Sequence, residues 1–245
     1  AGAMLAASTA RSKLATGRGA PPAAVVAWSS FGAAVICGIA AAWRRRLPRL
    51  DRRLLEYAAA SGLLTIAAPQ LIFVAAVQPV GVGFVALAIA LPPLFTYVGA
   101  LAFGLERLQA LRAMGVCAAL AGSLYLAIRK SADTDAPLLW IVLTLIGPVL
   151  LAGGNLYRSL RWPPGAAAEG LAPAMLAASA VWLVVASLAP WVDVAVDTAR
   201  GDILVLIAIQ ALVFAAQFIL LFVCQAYGGP VLLSLLGAVA ALFSV

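Results

Sequence analysis

Nine long apolar stretches dominate this sequence, and they restrict its fold more than any other feature. They lie at 1–17, 23–43, 57–78, 82–103, 112–128, 137–157, 171–190, 203–225 and 230–245. A helix of roughly 20 apolar residues crosses the hydrocarbon core of a bilayer, and these stretches lack the alternation of a barrel strand. The sequence therefore predicts an all-α polytopic membrane protein. Turn residues separate several of the spans, namely Pro21-Pro22, Pro79 with Gly81, Pro163-Pro164-Gly165 and Gly228-Gly229-Pro230.

The composition agrees with a lipid environment and excludes several kinds of chemistry. Hydrophobic residues make up 65% of the chain and charged residues 10%, whereas soluble domains have roughly 45–50% and about 25%. The chain has no histidine, which excludes imidazole metal sites and histidine general bases. We therefore predict no catalytic residue, no metal site and no cofactor. Cys37, Cys117 and Cys224 lie in three different apolar stretches and are predicted to be small buried packing residues.

Arginine clustering predicts the orientation of the spans. The segment Arg44 to Arg53 carries six arginines in ten residues, and basic residues concentrate in cytoplasmic loops. The loops expected on the same side carry Arg107, Arg112, Arg158 and Arg161. The net charge of +7 is thus explained by topology, with no nucleic-acid partner. Contact with anionic membrane lipid is a second use of the same loop.

An internal repeat relates the two halves of the chain. Gln70, Gln78 and Gly81 recur as Gln217, Gln225 and Gly228, and Arg11-Ser12 recurs as Arg158-Ser159, every pair 147 residues apart. That interval contains five predicted spans, and an odd number makes the second copy enter the membrane from the opposite side. Inverted repeats of this kind are typical of secondary transporters. We predict a first repeat at 1–130 and a second at 137–245.

The same interval predicts how many helices the full fold contains. Matching each span to its counterpart yields ten helices in two units of five. The first helix of this sequence is then expected to be incomplete, and the last residues to fall within the ninth helix. The predicted fold is therefore a ten-helix transporter fold, truncated here to about nine spans.

Neutral polar and aromatic residues inside the spans are the candidates for a transport path. An amide buried in hydrocarbon without a partner costs several kcal/mol, so such residues are expected to face the bundle interior. Hydrogen bonding between neighbouring helices is the alternative role. No acidic residue falls in the middle of a span, which argues against a pump built on a buried carboxylate. The predicted substrate-binding residues are Trp28, Gln70, Tyr97, Asn155 and Gln217.

Small residues four apart mark the fifth predicted span. Gly115 with Ala119, and Ala118 with Gly122, have the spacing that allows two membrane helices to approach closely. Packing within the bundle and a homodimer seam along 112–128 are both consistent with this pattern.

Three stretches of the first half resemble the EamA-type carriers of the drug/metabolite transporter superfamily. They are Leu91-Pro92-Pro93-Leu94-Phe95-Thr96-Tyr97, Gly104-Leu105-Glu106-Arg107-Leu108 and the glycine-containing helix from Gly115 to Gly122. The resemblance implies ten helices, a central cavity between the halves and both termini in the cytoplasm. It also implies export or exchange of small metabolites or drugs across an inner or plasma membrane. We therefore predict a secondary transporter that works by alternating access and is not an enzyme.

Two other functions are compatible with a helical membrane protein. A non-transporting scaffold or receptor would need no polar path through the bundle. A membrane-embedded transferase acting on lipid-linked substrates would need acidic residues or histidine clustered at a helix end, and the acid-rich segment from Asp193 to Asp202 has no histidine to pair with.

Overall fold

The computed structural model describes residues 19–107, 109–110, 113–115, 117–118, 121, 138–196 and 201–242, with side chains except at 82, 86, 87, 90 and 228–242. This part of the chain is helical and contains no strand. The helices are α1 (Pro22–Trp43), α2 (Arg52–Gly62), α3 (Ala68–Ala90), α4 (Pro92–Ala102), α5 (Leu138–Leu160), α6 (Ala168–Ala186) and α7 (Gly201–Leu242). A π-helical turn, Leu63–Ala67, joins α2 to α3.

Local sequence signals account for several of the helix ends. Pro22 and Pro92 occupy the first positions of α1 and α4, where a missing N–H costs nothing. Asp51 caps α2, because its carboxylate accepts a hydrogen bond of 2.8 Å from the Leu54 N–H. Between α5 and α6 the chain turns at Gly165, whose φ of 71° suits glycine.

The π-helical turn follows a serine that competes for the helix backbone. Ser61 is buried, and its hydroxyl donates to the Tyr57 carbonyl oxygen at 2.6 Å. Such bonding back to the preceding turn loosens a helix, and π-helical turns insert one extra residue per turn. The turn follows directly after Gly62, and it changes the face to which the next side chains, including Thr65, point.

Helices α1 and α6 pack side by side in opposite directions. A Cβ on Gly38, late in α1, would lie 3.9 Å from the Cβ of Pro173, early in α6. The connection after α1 crosses the start of α6, where Gly170 faces the Arg46 carbonyl. The connection after α6 crosses the start of α1, where the Trp28 indole donates to the Val194 carbonyl at 3.0 Å. These two antiparallel helices are the most extensively packed pair among the described helices.

Five helices in the described part of the chain are long and apolar enough to cross a membrane. Large apolar side chains on their outer faces are exposed, as lipid-facing positions require. On α1 this exposed stripe runs through Trp28, Phe31, Val35 and Ile39 to Trp43, which is 90% exposed at the helix end. The five helices that could cross a membrane are Pro22–Trp43, Arg52–Gly81, Leu138–Leu160, Ala168–Ala186 and Gly201–Tyr227. The prediction of an all-helical, multi-pass membrane protein is confirmed.

Several predicted span boundaries differ from the structure. The stretch predicted as one span, 82–103, is divided at Leu91 because Pro92 starts a new helix. The preceding helix, α3, also contains a kink, because the backbone of Gly81 leaves helical geometry with φ 80° and ψ 155°. Conversely, α7 continues through Gly228 to Pro230, where the sequence predicted a break, so 203–225 and 230–245 belong to one helix as far as Leu242. The predicted span 1–17 lies outside the described residues.

The cysteine prediction is correct at one position and wrong at another. Cys37 is buried, and its thiol donates to the Ala215 carbonyl at 3.6 Å. Cys117 is exposed and Cys224 is half-buried. Most of 112–128, including Ala119 and Gly122, lies outside the described residues, so the homodimer seam stays a prediction.

Candidate functional site

A fully buried arginine is the centre of the largest polar cluster in the described bundle. Arg158 lies near the end of α5 with 0% of its surface exposed. Its Nε donates to Gln225 Oε1 at 2.9 Å, and its Nη2 donates to Asn155 Oδ1 at 2.7 Å. Its Nη1 donates to Thr65 Oγ1 at 3.2 Å and lies 3.5 Å from Met175 Sδ. Four helical segments therefore meet at one guanidinium.

The side-chain amides of Gln225 and Asn155 form further hydrogen bonds that extend the cluster. Gln225 Nε2 donates to the Asn155 carbonyl at 3.0 Å and to Ser159 Oγ at 2.9 Å. Asn155 Nδ2 donates to Thr96 Oγ1 in α4 at 3.4 Å. Thr65 and Thr96 belong to the first predicted repeat, whereas the other members belong to the second. The cluster thus bridges the two halves of the chain.

Glycine in α5 allows this cluster to form. A Cβ on Gly154 would lie 2.5 Å from Thr65 Oγ1 and 3.2 Å from Leu64 Cβ, so only glycine permits α5 to lie this close to the π-helical turn. One turn further along, Arg158 reaches Thr65 from the same face of α5. The turn and the glycine together bring the hydroxyl to the guanidinium.

The electrostatics of the cluster are unusual because the buried cation has only neutral partners. None of the described acidic side chains forms an ion pair with Arg158. The Phe222 ring lies 5.5 Å from its Cζ, close enough for a cation–π interaction. Removing a charge from water costs several kcal/mol even after relaxation, and neutral hydrogen bonds recover only part of that cost. The site therefore carries a positive charge that nothing in the described structure neutralises.

A cavity of about 610 Å³ adjoins the cluster. Ser159 and Gln225 form part of its wall, so the cavity reaches the polar cluster directly. At its rim Glu169 lies 3.0 Å from Arg46 and 3.8 Å from Arg44, two residues of the arginine-rich loop. The cavity is large enough for a small metabolite, since ligand pockets typically have volumes of roughly 300–1,000 Å³.

The structure places the five predicted site residues in different surroundings. Asn155 belongs to the cluster, and the buried Tyr97 follows Thr96 in α4 with its hydroxyl 3.2 Å from the Gln109 nitrogen. Gln217 is buried in α7 and Gln70 is half-buried in α3, and neither contacts the cluster. Trp28 is 49% exposed on the outer stripe of α1. The five residues are therefore not brought together, and their role in transport stays a prediction.

Arg158 and Gln225, the two central members of the cluster, were not predicted as site residues. Arg158 was expected in a cytoplasmic loop, but α5 continues three residues beyond the predicted end at 157 and buries the guanidinium. Gln225 was noted only for its place in the repeat. The available signal was the repeat itself, because both Arg158-Ser159 and Gln225 recur at the 147-residue interval.

Replacing Gln217 with methionine is expected to stabilise the fold. Its Oε1 is buried and has no hydrogen-bond partner among the described residues, and a buried unpaired acceptor costs about 1–3 kcal/mol. Methionine has a similar length and no such group, so we expect the free energy of unfolding to rise by about 1 kcal/mol. Thermal unfolding in detergent measures this. The half-buried Gln70→Met is the control and should change stability by less than about 0.5 kcal/mol. A loss of stability in Gln217→Met would contradict the expectation.

Apolar helices that enclose a polar cluster beside a cavity are typical of a multi-pass membrane protein with a functional polar site. The model of the EamA-like transporter family matches residues 1–128 of the 245. The chain belongs to the EamA-like transporter family, which is part of the drug/metabolite transporter superfamily. Members of this family are membrane transporters of small molecules rather than enzymes. No curated protein matches the chain.

Proposed function

We propose that this protein is a secondary transporter that exports or exchanges small metabolites or drugs across an inner or plasma membrane by alternating access. The observation that carries the proposal is the buried cluster around Arg158, which joins Thr65 and Thr96 of the first half to Asn155 and Gln225 of the second. Polar groups buried at the junction of two membrane repeats mark substrate sites in such carriers. The adjoining cavity is the entrance to this site.

Helix packing supports the inverted repeat on which alternating access depends. At the 147-residue interval α1 corresponds to α6, and these helices run in opposite directions. In α1, a Cβ on Gly32 would lie 2.8 Å from Ala211 Cβ in α7. The residue of α6 that corresponds to Gly32 is Ser179, and its nitrogen would lie 2.9 Å from a Cβ on Gly62 in α2. The contact of α1 with α7 thus has a counterpart in the contact of α6 with α2.

The segment after α1 and the segment after α6 also correspond to each other at the 147-residue interval. Leu47 and Val194 are counterparts at this interval. The loop around Leu47 crosses the first turn of α6, and the segment at Val194 crosses the first turns of α1. In the predicted orientation the first loop and the cavity beside it are cytoplasmic, while the second segment lies on the opposite side. This arrangement corresponds to a carrier open to the cytoplasm.

A reconstituted exchange assay tests the proposed function. The full-length protein is placed in liposomes loaded with a defined mixture of small metabolites, and release is followed by mass spectrometry. We expect at least one compound to leave faster than from protein-free liposomes and its release to be stimulated by the same compound outside. Release no faster than from protein-free liposomes for every compound would exclude the transporter proposal for this mixture and favour a scaffold or receptor.

Thiol labelling tests the cavity and its orientation. In a chain whose three cysteines are replaced by serine, Ala168→Cys is placed in the cavity wall and Ala177→Cys on the outer apolar face of the same helix. A membrane-impermeant thiol reagent is expected to label position 168 at least tenfold faster than position 177, and only from the side that carries the Arg44 loop. Equal labelling at both positions, or labelling of 168 from the opposite side, would contradict the proposed entrance.

A further inference from the structure

We infer that the transported molecule carries an anionic group, a carboxylate or a phosphate, and that the guanidinium of Arg158 binds this group. The inference rests on the proposed transport function and specifies the class of substrate. Two observations lead to it. The first is a fully buried cation that has no counter-charge among the described residues, and the second is a cavity whose wall includes the amide bound to that cation.

The acceptors around the guanidinium are weaker than those an anion would supply. Its present partners are two amide oxygens, one hydroxyl and the sulfur of Met175, which is a weak acceptor. Arginine donates its strongest hydrogen bonds to carboxylate and phosphate oxygens, often two at once. An anion at this position would therefore replace neutral contacts with charge-assisted ones.

Gln225 lies between the cavity and the guanidinium. Its side chain forms part of the cavity wall, and its Oε1 accepts the hydrogen bond from Arg158 Nε. The same amide is held by the Asn155 carbonyl and by Ser159 Oγ. A rotation of this one side chain exposes Nε to the cavity, so the incoming anion takes the place of the amide oxygen.

The charges near the cavity also favour an anion. Arg44 and Arg46 lie near the rim and share the single carboxylate of Glu169. Of the other described acidic residues on this side, Glu56 pairs with Arg52 at 2.7 Å and Asp51 caps α2. Glu106 follows Leu105 of the cavity wall, but the described arginines on this side still outnumber the carboxylates. An excess of positive charge attracts anions and repels cations within a Debye length, about 8 Å at physiological salt.

The exchange assay separates the substrate classes. Liposomes containing the full-length protein are loaded with equal concentrations of propionate and succinate as carboxylates, glycerol phosphate as a phosphate ester, erythritol as a neutral compound and butylamine as a cation. We expect faster release of the carboxylates, the phosphate ester or both, and release of the others as slow as from protein-free liposomes. In Arg158→Gln this release should fall at least tenfold, whereas Arg161→Gln, an exposed arginine three residues on, should retain it.

Asn155→Asp is the second variant, and it distinguishes binding from a structural role. The substitution hardly changes size and places a carboxylate where the amide oxygen now lies, 2.7 Å from Arg158 Nη2. The internal carboxylate competes with an external anion, so release of anions should fall at least tenfold while the melting temperature does not fall. If Arg158 served only the fold and Asn155 did not itself bind substrate, Asn155→Asp would leave release unchanged; the comparison with Arg158→Gln separates the two roles.

The outcomes separate this inference from the function on which it rests. Release of only erythritol or butylamine would overturn the anionic substrate and leave transport intact. Undiminished anion release in Arg158→Gln or in Asn155→Asp would overturn the role of Arg158. If no compound is released faster than from protein-free liposomes, the transport proposal fails for these compounds and the inference fails with it. The ratio of carboxylate to phosphate release identifies which anion the site prefers.

Discussion

Gln225→Leu is expected to lower the free energy of unfolding by about 3 kcal/mol, because a charged buried donor loses its acceptor. Leucine is similar in size but offers no oxygen to Arg158 Nε, now bonded at 2.9 Å, and no N–H to Ser159 Oγ or the Asn155 carbonyl. A hydrogen bond to a charged group contributes about 1.5–3 kcal/mol, and leucine also leaves Ser159 Oγ and the Asn155 carbonyl without their present donor. Thermal unfolding in detergent, followed by tryptophan fluorescence, measures the change.

The repeat provides a matched control for this variant. Gln78 is the counterpart of Gln225 at the 147-residue interval, but its side chain is exposed. Gln78→Leu makes the same chemical change and should alter the free energy of unfolding by no more than about 0.5 kcal/mol. An equal loss of stability in the two variants would show that Gln225 has no special role in the cluster.

Gly62→Ala is expected to lower the free energy of unfolding by about 1–3 kcal/mol, the usual cost of overpacking. A Cβ at this position would lie 2.8 Å from the Met175 carbonyl oxygen and 2.9 Å from the Ser179 nitrogen. Both atoms are backbone, so no side-chain rotation relieves the contact, and α2 and α6 have to separate. We expect exchange activity to fall as well, since the adjoining π-helical turn holds Thr65 against Arg158.

Gly153→Ala is the control for the glycine prediction. This residue lies within α5, and a Cβ there would have no neighbour within 4 Å in the described part of the chain. Alanine is favoured over glycine inside a helix by about 0.8–1.0 kcal/mol, so this variant should be slightly more stable than the wild type. The two Gly-to-Ala substitutions are thus expected to have opposite signs. A destabilising Gly153→Ala, or a neutral Gly62→Ala, would contradict the packing described here.

Local chemistry explains why the general fold could be predicted. Long apolar stretches leave the backbone no partner except its own helix in lipid, which is why the helical, multi-pass character is visible in the sequence. Proline at the start of α1 and glycine at 165 act within a few residues, and both were predicted as boundaries. The break at Leu91 and the continuous helix through Gly228 were not, because the same residue types can end a helix or only bend it.

The site was harder to predict because its members are distant in the chain. Asn155 was selected correctly as a buried polar residue, and Gln217 is buried as expected. Arg158 looked like a loop residue, since a charge next to a predicted span end has no visible reason to turn inward. That reason is an acceptor on α7, 67 residues away, and a hydroxyl on the π-helical turn, 93 residues away. Neither distance leaves a periodic pattern in the sequence.

The sequence alone determined that the apolar stretches of this protein lie in lipid and that they are helical. It also determined the family resemblance and the 147-residue interval between the halves, because each of these depends on residue type or spacing along the chain. Only the tertiary structure decided which polar groups meet and what charge the cavity adjoins. Burial and hydrogen-bond partners depend on how helices cross, and those crossings are set by packing at positions such as Gly62 and Gly154. The sequence does not distinguish an arginine at an exposed helix end from an arginine at the centre of a polar cluster. Only the packing of the helices separates the two cases.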